Sequence, residues 1–268
     1  MWGPPIGSQF LIFVDDFNMP ACETYDAQPP IEILRTLLDY KGWFDRKGWQ
    51  WKQMVDLTMC AAMGPPGGGR NPISERTTRH FNFISTLEMS DASIALVFNT
   101  ILNNFLNPFS DGVKAVGEDT VWSTIEVFNA CRADLLPTPE KSHYTFNLRD
   151  IASVVQGCMA CTHKKVTQPS DFVRLWVHES RRVFSDRFTN YDDIKYFNQM
   201  IEKKVDEKFG MKLADIGPEG KPMPDRLMFV DFLVPGTDFE SRIYEDSPPM
   251  EELQKLIEEY LDDYNSQY

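Results

Sequence analysis

Apolar residues run unbroken from Phe10 to Val14, and two carboxylates, Asp15 and Asp16, follow at once. A short continuous apolar run of this kind predicts a strand buried on both faces, as in a parallel sheet. Pro29 and Pro30 then open a helix, because proline is tolerated in the first turn. Ile31, Leu34, Leu37 and Leu38 share one face of that helix, and Gly42 suits its C-terminal cap. The stretch GWFDRKGWQWK, with its tryptophans and glycines, predicts an exposed hairpin or loop. A second strand is predicted over 54–61 and a short third strand over His80–Ser85. The GPPGGGRNP segment between them is too rich in glycine and proline for regular structure.

The pattern then turns helical. Ser90 is a good N-cap for a helix carrying Ile94, Val97, Phe98, Ile101, Leu102 and Phe105, which stops before Pro108. A further helix is predicted over 119–134, and Pro137 and Pro139 mark a boundary. Three helical stretches follow, near 147–162, 171–187 and 191–209. The change from mixed α/β to all-helical predicts a separate lid subdomain. Residues 211–225 read as a linker or exposed loop, Leu227–Phe232 as strand-like, and 249–264 as an acidic amphipathic helix.

Composition narrows the classes. With 268 residues and 42% hydrophobic content the chain has enough apolar material for a proper core. Its formal net charge of −13 argues against nucleic acid and against an anionic membrane surface as partners. No apolar run approaches a membrane span, and the N-terminus lacks the basic start and apolar stretch of a secretory signal. Cys158 and Cys161 form a C-x-x-C, but no second pair accompanies them, so buried thiols in a reducing cytosol are the expectation rather than zinc. The four histidines, at 80, 143, 163 and 178, are scattered and read as structural.

Candidate chemistry sits at the tip of the first strand. Ligands of α/β sheets lie outside the carboxyl ends of the strands. Two adjacent acids there repel each other, and a Mg²⁺ ion with a nucleotide phosphate would justify them, since a hard cation wants oxygen ligands. This is the shape of a Walker B element. The alternative is a strand whose acids merely start a surface loop.

The segments DDFNMPACETYDAQPPIEILR (15–35), CAAMGPPGGGRNPISERTTRHFN (60–82) and YTFNLRD (144–150), in this order and spacing, closely resemble the third AAA+ module of an axonemal dynein heavy chain. The resemblance covers essentially the whole chain, from the second half of that module to the opening of the fourth. It implies a P-loop NTPase α/β fold: the C-terminal part of the large subdomain over 1–135, a helical lid over 141–209, and a linker and lead-in to the next module over 210–268.

The resemblance also implies roles. Asp15 would hold Mg²⁺ through water. Asp16 stands where the family usually has a glutamate that polarises the attacking water, and its shorter reach puts hydrolysis in doubt; capping the following turn is the alternative for it. The second strand's tip normally bears a polar sensor of the γ-phosphate, but here it reads Met63-Gly64-Pro65-Pro66, with Asn71 placed to reach back from the loop. Arg76 and Arg79, spaced i, i+3, occupy the arginine-finger position and would face the preceding module's nucleotide; exposed or ion-paired arginines are the alternative. Arg149 matches the second sensor, with Phe146 and Leu148 anchoring the lid helix, unless it pairs with Asp150 or an acid of the core.

No G-x-x-x-x-G-K-[ST] occurs among these residues, so a P-loop would have to precede Met1 for ATP or ADP with Mg²⁺ to bind. Two function classes follow. One is a regulatory nucleotide-binding module of an ATP-driven microtubule motor in the axoneme of cilia or flagella. Its partners would be the neighbouring AAA+ modules, the other dynein subunits and, indirectly, the microtubule; alone, the chain would be inactive. The other class is a degenerate AAA+ fragment with a structural or interaction role and no nucleotide.

Overall fold

A computed structural model describes residues 1–66, 70–217, 227–238 and 241–267. Contacts divide the chain into two compact units, Met1–Leu87 and Glu88–Tyr268.

The first unit is built on two parallel strands. β1 (Phe10–Val14) pairs with β4 (Leu57–Ala61) in the register Phe10 to Leu57 through Val14 to Ala61. Parallel neighbours need a crossover. Here it holds α1 (Pro29–Tyr40) and a hairpin of β2 (Gly42–Phe44) and β3 (Trp51–Gln53). Both tandem prolines sit at the start of α1 as predicted, and Ile31 and Leu37 are its buried residues. The left-handed cap, however, is Lys41 rather than Gly42. Gly42 is needed for a different reason: a Cβ there would lie 2.6 Å from the Lys52 carbonyl across the hairpin.

Three expectations change in this unit. β1 is a strand but not a buried one, since Phe10, Leu11 and Phe13 are more than half exposed. Its ladder partner among the described residues is β4, which covers one edge and neither face. The second strand starts later than predicted, at Leu57, because Met54 and Val55 instead pair with Trp2. His80–Ser85 forms no strand, and with no ladder partner its Phe83 and Ile84 stay exposed.

The second unit is helical: α3 (Asp91–Leu106), α4 (Asp111–Ala115), α5 (Gly117–Asp134), α6 (Leu148–Cys158), α7 (Pro169–Phe184) and α8 (Tyr191–Phe209). Ser90 caps α3 as predicted, its hydroxyl accepting the Ser93 N–H. The contact division falls before α3 and not at Pro137–Pro139, because α3 and α5 share one core with α6, α7 and α8. α7 is the centre of that core. Phe172, Leu175, Trp176 and Phe184 are fully buried, and the Trp176 indole donates to the Thr124 hydroxyl of α5 at 2.9 Å.

Charged groups buried on α7 tie in the remaining chain. Arg174 pairs with Asp171 and with Asp246 of the short β6 (Glu245–Asp246), which pairs with β5 (Phe229–Val230). Glu179, about 1% exposed, accepts from Arg182 and from the Tyr244 hydroxyl. Within 211–217 the chain is partly packed, with Leu213 and Ile216 buried and Lys212, Ala214 and Asp215 exposed; residues 218–226 of the expected linker lie outside the described residues. α9 (Met250–Gln267) is the acidic amphipathic helix expected, held by buried Leu253 and by the Tyr260 hydroxyl on the Phe232 carbonyl.

Two consequences are measurable. A Cβ on Gly157 of α6 would fall 1.9 Å from the Glu179 carboxylate, which cannot move without losing its partners. Gly157→Ala is expected to lower stability by about 1–3 kcal/mol in urea denaturation. His178 lies against the Leu227 carbonyl and the Tyr244 hydroxyl, with Glu179, Arg182 and Asp186 around it. Burial lowers its pKa, and attraction to Glu179 offsets only part of this. The unfolded chain therefore takes up that proton first. The His178 contribution is complete above about pH 6.5 and is lost as pH falls from there through the lower folded value. Melting curves between pH 7.5 and 5 should show this loss, reduced in His178→Gln.

Candidate functional site

The carboxyl ends of β1 and β4 lie side by side, and the two loops leaving them are stitched together. The Phe17 N–H donates to the Ala62 carbonyl at 2.9 Å, and the Ala62 N–H to the Val14 carbonyl at 2.9 Å. Asn18 is buried, and its carboxamide nitrogen donates to the Gly64 carbonyl at 2.8 Å. Its Oδ1 is buried with no donor among the described residues. The Asn71 N–H donates to the Asn18 carbonyl at 2.9 Å, while its side-chain nitrogen donates to the Pro20 carbonyl at 3.0 Å. Asn71 is thus occupied in holding the two loops together. Met63 is exposed, and Gly64 presents only its backbone, so the residues that follow β4 bring no polar side chain of their own to its tip.

The tandem acids diverge. Asp15 is exposed, and its Oδ1 accepts the Asp16 N–H at 2.9 Å. Its second oxygen takes no hydrogen bond from the described residues and faces no competing cation there. Asp16 has φ +46, a left-handed conformation that aspartate tolerates better than most residues. Its carboxylate does not cap the turn; it accepts from Arg70 Nη2 at 2.8 Å and Nε at 3.3 Å. Gly64 makes room for that arginine, since a Cβ there would come within 3.1 Å of the Arg70 side chain.

The two candidate finger arginines differ. Arg76 lies in the single-turn α2 (Glu75–Thr78), is exposed, and has no side-chain partner among the described residues. Arg79, at the C-cap of that turn, reaches Asp39 of α1 at 2.5 Å, where Arg35 and His80 also converge. Partial desolvation works to raise the Asp39 pKa, but Arg79 and His80 outweigh it and hold the carboxyl below its usual range.

Arg149 stands in the second unit, in the first turn of α6. Asn147 and Asp150 form a reciprocal capping box there, and the Arg149 N–H donates to Asn147 Oδ1 at 2.8 Å. Asp150 is taken by the Asn147 N–H and by Arg187 at 2.5 Å, so Arg149 does not pair with it. The Arg149 side chain is exposed with no described partner. Phe146 packs on Phe184 and Phe188 as expected, but Leu148 is 39% exposed and the helix is anchored by buried Ile151 instead. Beside this turn is a cleft of about 520 Å³ lined by Ile94, Phe128, Arg132, Asn147 and Leu148.

Elsewhere, Cys158 and Cys161 are buried, the Cys161 thiol donating to the Cys158 carbonyl at 3.2 Å. Burial pushes the Cys161 thiol up to about 12 and the Cys158 thiol well above its usual value. No group of His, Cys, Asp and Glu suited to a metal ion occurs among the described residues, and no described helix is long and apolar enough to cross a membrane.

The sequence reading missed Arg70, Asn18 and Asp39. Their partners lie 54, 46 and 40 residues away, so no local signal in the sequence pointed to these contacts. In the first unit, Asp15 offers an exposed carboxylate at a strand tip, with one oxygen that takes no hydrogen bond from the described residues, a donor whose chemistry suits a hydrated Mg²⁺ ion.

Two parallel strands, one of them ending in tandem acids, followed in the same chain by a helical unit, have the makings of part of an AAA+ module. The family model for the P-loop containing dynein motor region matches residues 1–89, and that for the AAA+ lid domain matches 121–217. Dynein axonemal heavy chain 1 of Mus musculus is 41% identical over 99% of this chain, covering 6% of that relative. Dynein axonemal heavy chain 6 of Homo sapiens is 40% identical over 98% of the chain, again 6% of the relative. For dynein axonemal heavy chain 12 of Homo sapiens the identity is 38% over 99%, and 9% of the relative. The chain belongs to the axonemal dynein heavy-chain family, as part of an AAA+ module, and spans less than a tenth of the length of these relatives.

The Asn18 contact can be tested alone. Asn18→Ala leaves the Gly64 carbonyl without its donor and is expected to destabilise the first unit by about 1–2 kcal/mol. Hydrogen exchange at Ala62 and Asn71 should quicken, while exchange in α7 stays as it was.

Proposed function

We propose that this chain forms part of the third AAA+ module of a dynein heavy chain, a regulatory nucleotide-binding module of an ATP-driven microtubule motor working in the axoneme of cilia or flagella. The observation that carries this is the pair of acids at the tip of β1, beside β4 in parallel register. Matches to both the motor-region and the lid models favour the motor reading over a purely structural fragment. AAA+ modules of this family bind nucleotide with Mg²⁺, and the P-loop would come from heavy-chain sequence outside this segment.

In this reading Asp15 holds Mg²⁺ through water, and Asp16 polarises the attacking water from the shorter reach of an aspartate. The bound Mg²⁺ would supply charge neutralisation at the phosphates. Residues 141–209 act as the lid, and Arg149 brings a positive charge to the phosphate end of the site. Arg76, free of partners among the described residues, serves the preceding module's nucleotide; Arg79 fixes the turn that carries it through Asp39. With no polar side chain of β4's own at its tip and a short base, turnover is slow. Removing one transition-state donor typically costs about 10²–10³ in rate. The partners are the neighbouring AAA+ modules, other dynein subunits and, indirectly, the microtubule.

The test is nucleotide binding and single-turnover hydrolysis at this module in an intact heavy chain whose other modules are silenced. Asp15→Ala and Arg149→Ala are expected to weaken binding here. Asp16→Glu is expected to raise turnover. Arg76→Ala should leave binding here unchanged and, in a heavy chain with the preceding module active, slow that module. The 268-residue chain by itself is expected to turn over no ATP. Tight binding in Asp15→Ala, or loss of binding at this module in Arg76→Ala, would overturn the assignment.

A further inference from the structure

Asp16 and Arg70 form an ion pair that joins the two loops at the strand tips, and the acid is the one read above as the base. Both guanidinium bonds fall on the same oxygen, Oδ1, at 2.8 and 3.3 Å. Three features build this contact. The left-handed backbone of Asp16, φ +46, sets its carboxylate apart from that of Asp15. Gly64 carries no side chain where the arginine passes. The Asn18 and Asn71 hydrogen bonds hold the two loops in place.

Resting on the reading of Asp16 as the base, we propose that Arg70 is a positioning residue that restrains it. The ion pair takes up Oδ1 and fixes the direction in which the carboxylate faces, so it is not free to turn toward a water at the site. The side chains of Arg70 and Asp16 are 44% and 45% exposed, so the contact is open and exchangeable. A guanidinium serves phosphate oxygens as well as carboxylates, so a phosphate arriving at the site competes for the same arginine. Slow turnover at this module then has a third source besides the short base and the missing polar side chain.

The restraint is measurable without nucleotide. In the 268-residue chain, labelling of carboxylates by a water-soluble carbodiimide and an amine, read by mass spectrometry, should modify Asp16 more slowly than Asp15. Arg70→Ala should bring Asp16 up to the Asp15 rate, and Arg70→Lys, a point charge without the fork, should fall between. Gly64→Ala, whose Cβ would sit 3.1 Å from the Arg70 side chain and crowd it without removing a charge, should raise Asp16 labelling by less than Arg70→Ala does; circular dichroism melts establish that each variant is folded. Equal Asp16 labelling in the wild type and in folded Arg70→Ala and Gly64→Ala overturns the restraint.

In the silenced heavy chain, Arg70→Ala is expected to raise single-turnover hydrolysis at this module about two- to fivefold, the range an exposed ion pair can supply. The gain should vanish when Asp16→Asn is added. If Asp16→Asn abolishes turnover but Arg70→Ala lowers it or leaves it unchanged, the restraint fails alone. If Asp16→Asn leaves turnover unchanged, the base reading fails and takes the restraint with it.

Discussion

Five paired residues, Phe10 to Val14 against Leu57 to Ala61, fix what the first unit presents. Parallel pairing points both chain ends the same way, so the residues after Val14 and after Ala61 emerge as neighbours. Asp15 and Asp16 leave one strand, and Met63 and Gly64 leave the other. The contacts at the strand tips follow from this adjacency: Asn18 donating to the Gly64 carbonyl, Phe17 to Ala62, and Arg70 lying over Gly64 to reach Asp16. A slip of one residue would turn every side chain of β1 to the other face.

The second unit depends on a different constraint, the near-complete burial of α7. A helix buried on most sides normally carries apolar residues alone. This one also carries Arg174 and Glu179, which are among the most buried charged groups in the molecule. Each has partners from distant chain: Asp246 for Arg174 and Tyr244 for Glu179. A buried charge stripped of its partner is costly. The segment carrying β6 is therefore tied to the helical core by charge as much as by apolar contact.

Four arginines of the motif segments have unlike environments. Arg79 is absorbed into the cluster around Asp39, and Arg70 is held by Asp16. Arg76 and Arg149 remain exposed without described partners. Residue type alone places all four as cations near acids. Their different availability comes from which carboxylates the fold brings within reach.

The local structure was legible in the sequence. Tandem prolines announced α1, Ser90 announced the cap of α3, and helical periodicity announced α5 to α8, because these signals act over one or two turns of chain. The motifs also disclosed the family, since several must coincide in order. Only the tertiary structure decided that β1 stays partly open, that His80–Ser85 is not a strand, and that Gly42 serves a close hairpin approach rather than a cap. It also decided that α3 and α5 share the core of the later helices. The candidate site divides in the same way. Asp15, Asp16, Arg76, Arg79 and Arg149 were named from motif position, whereas the Arg70 contact to Asp16 and the Asn18 contact to Gly64 were not. The physical reason is range: a helix or cap is set by neighbours in sequence, but an ion pair across 54 residues exists only once the strands have paired.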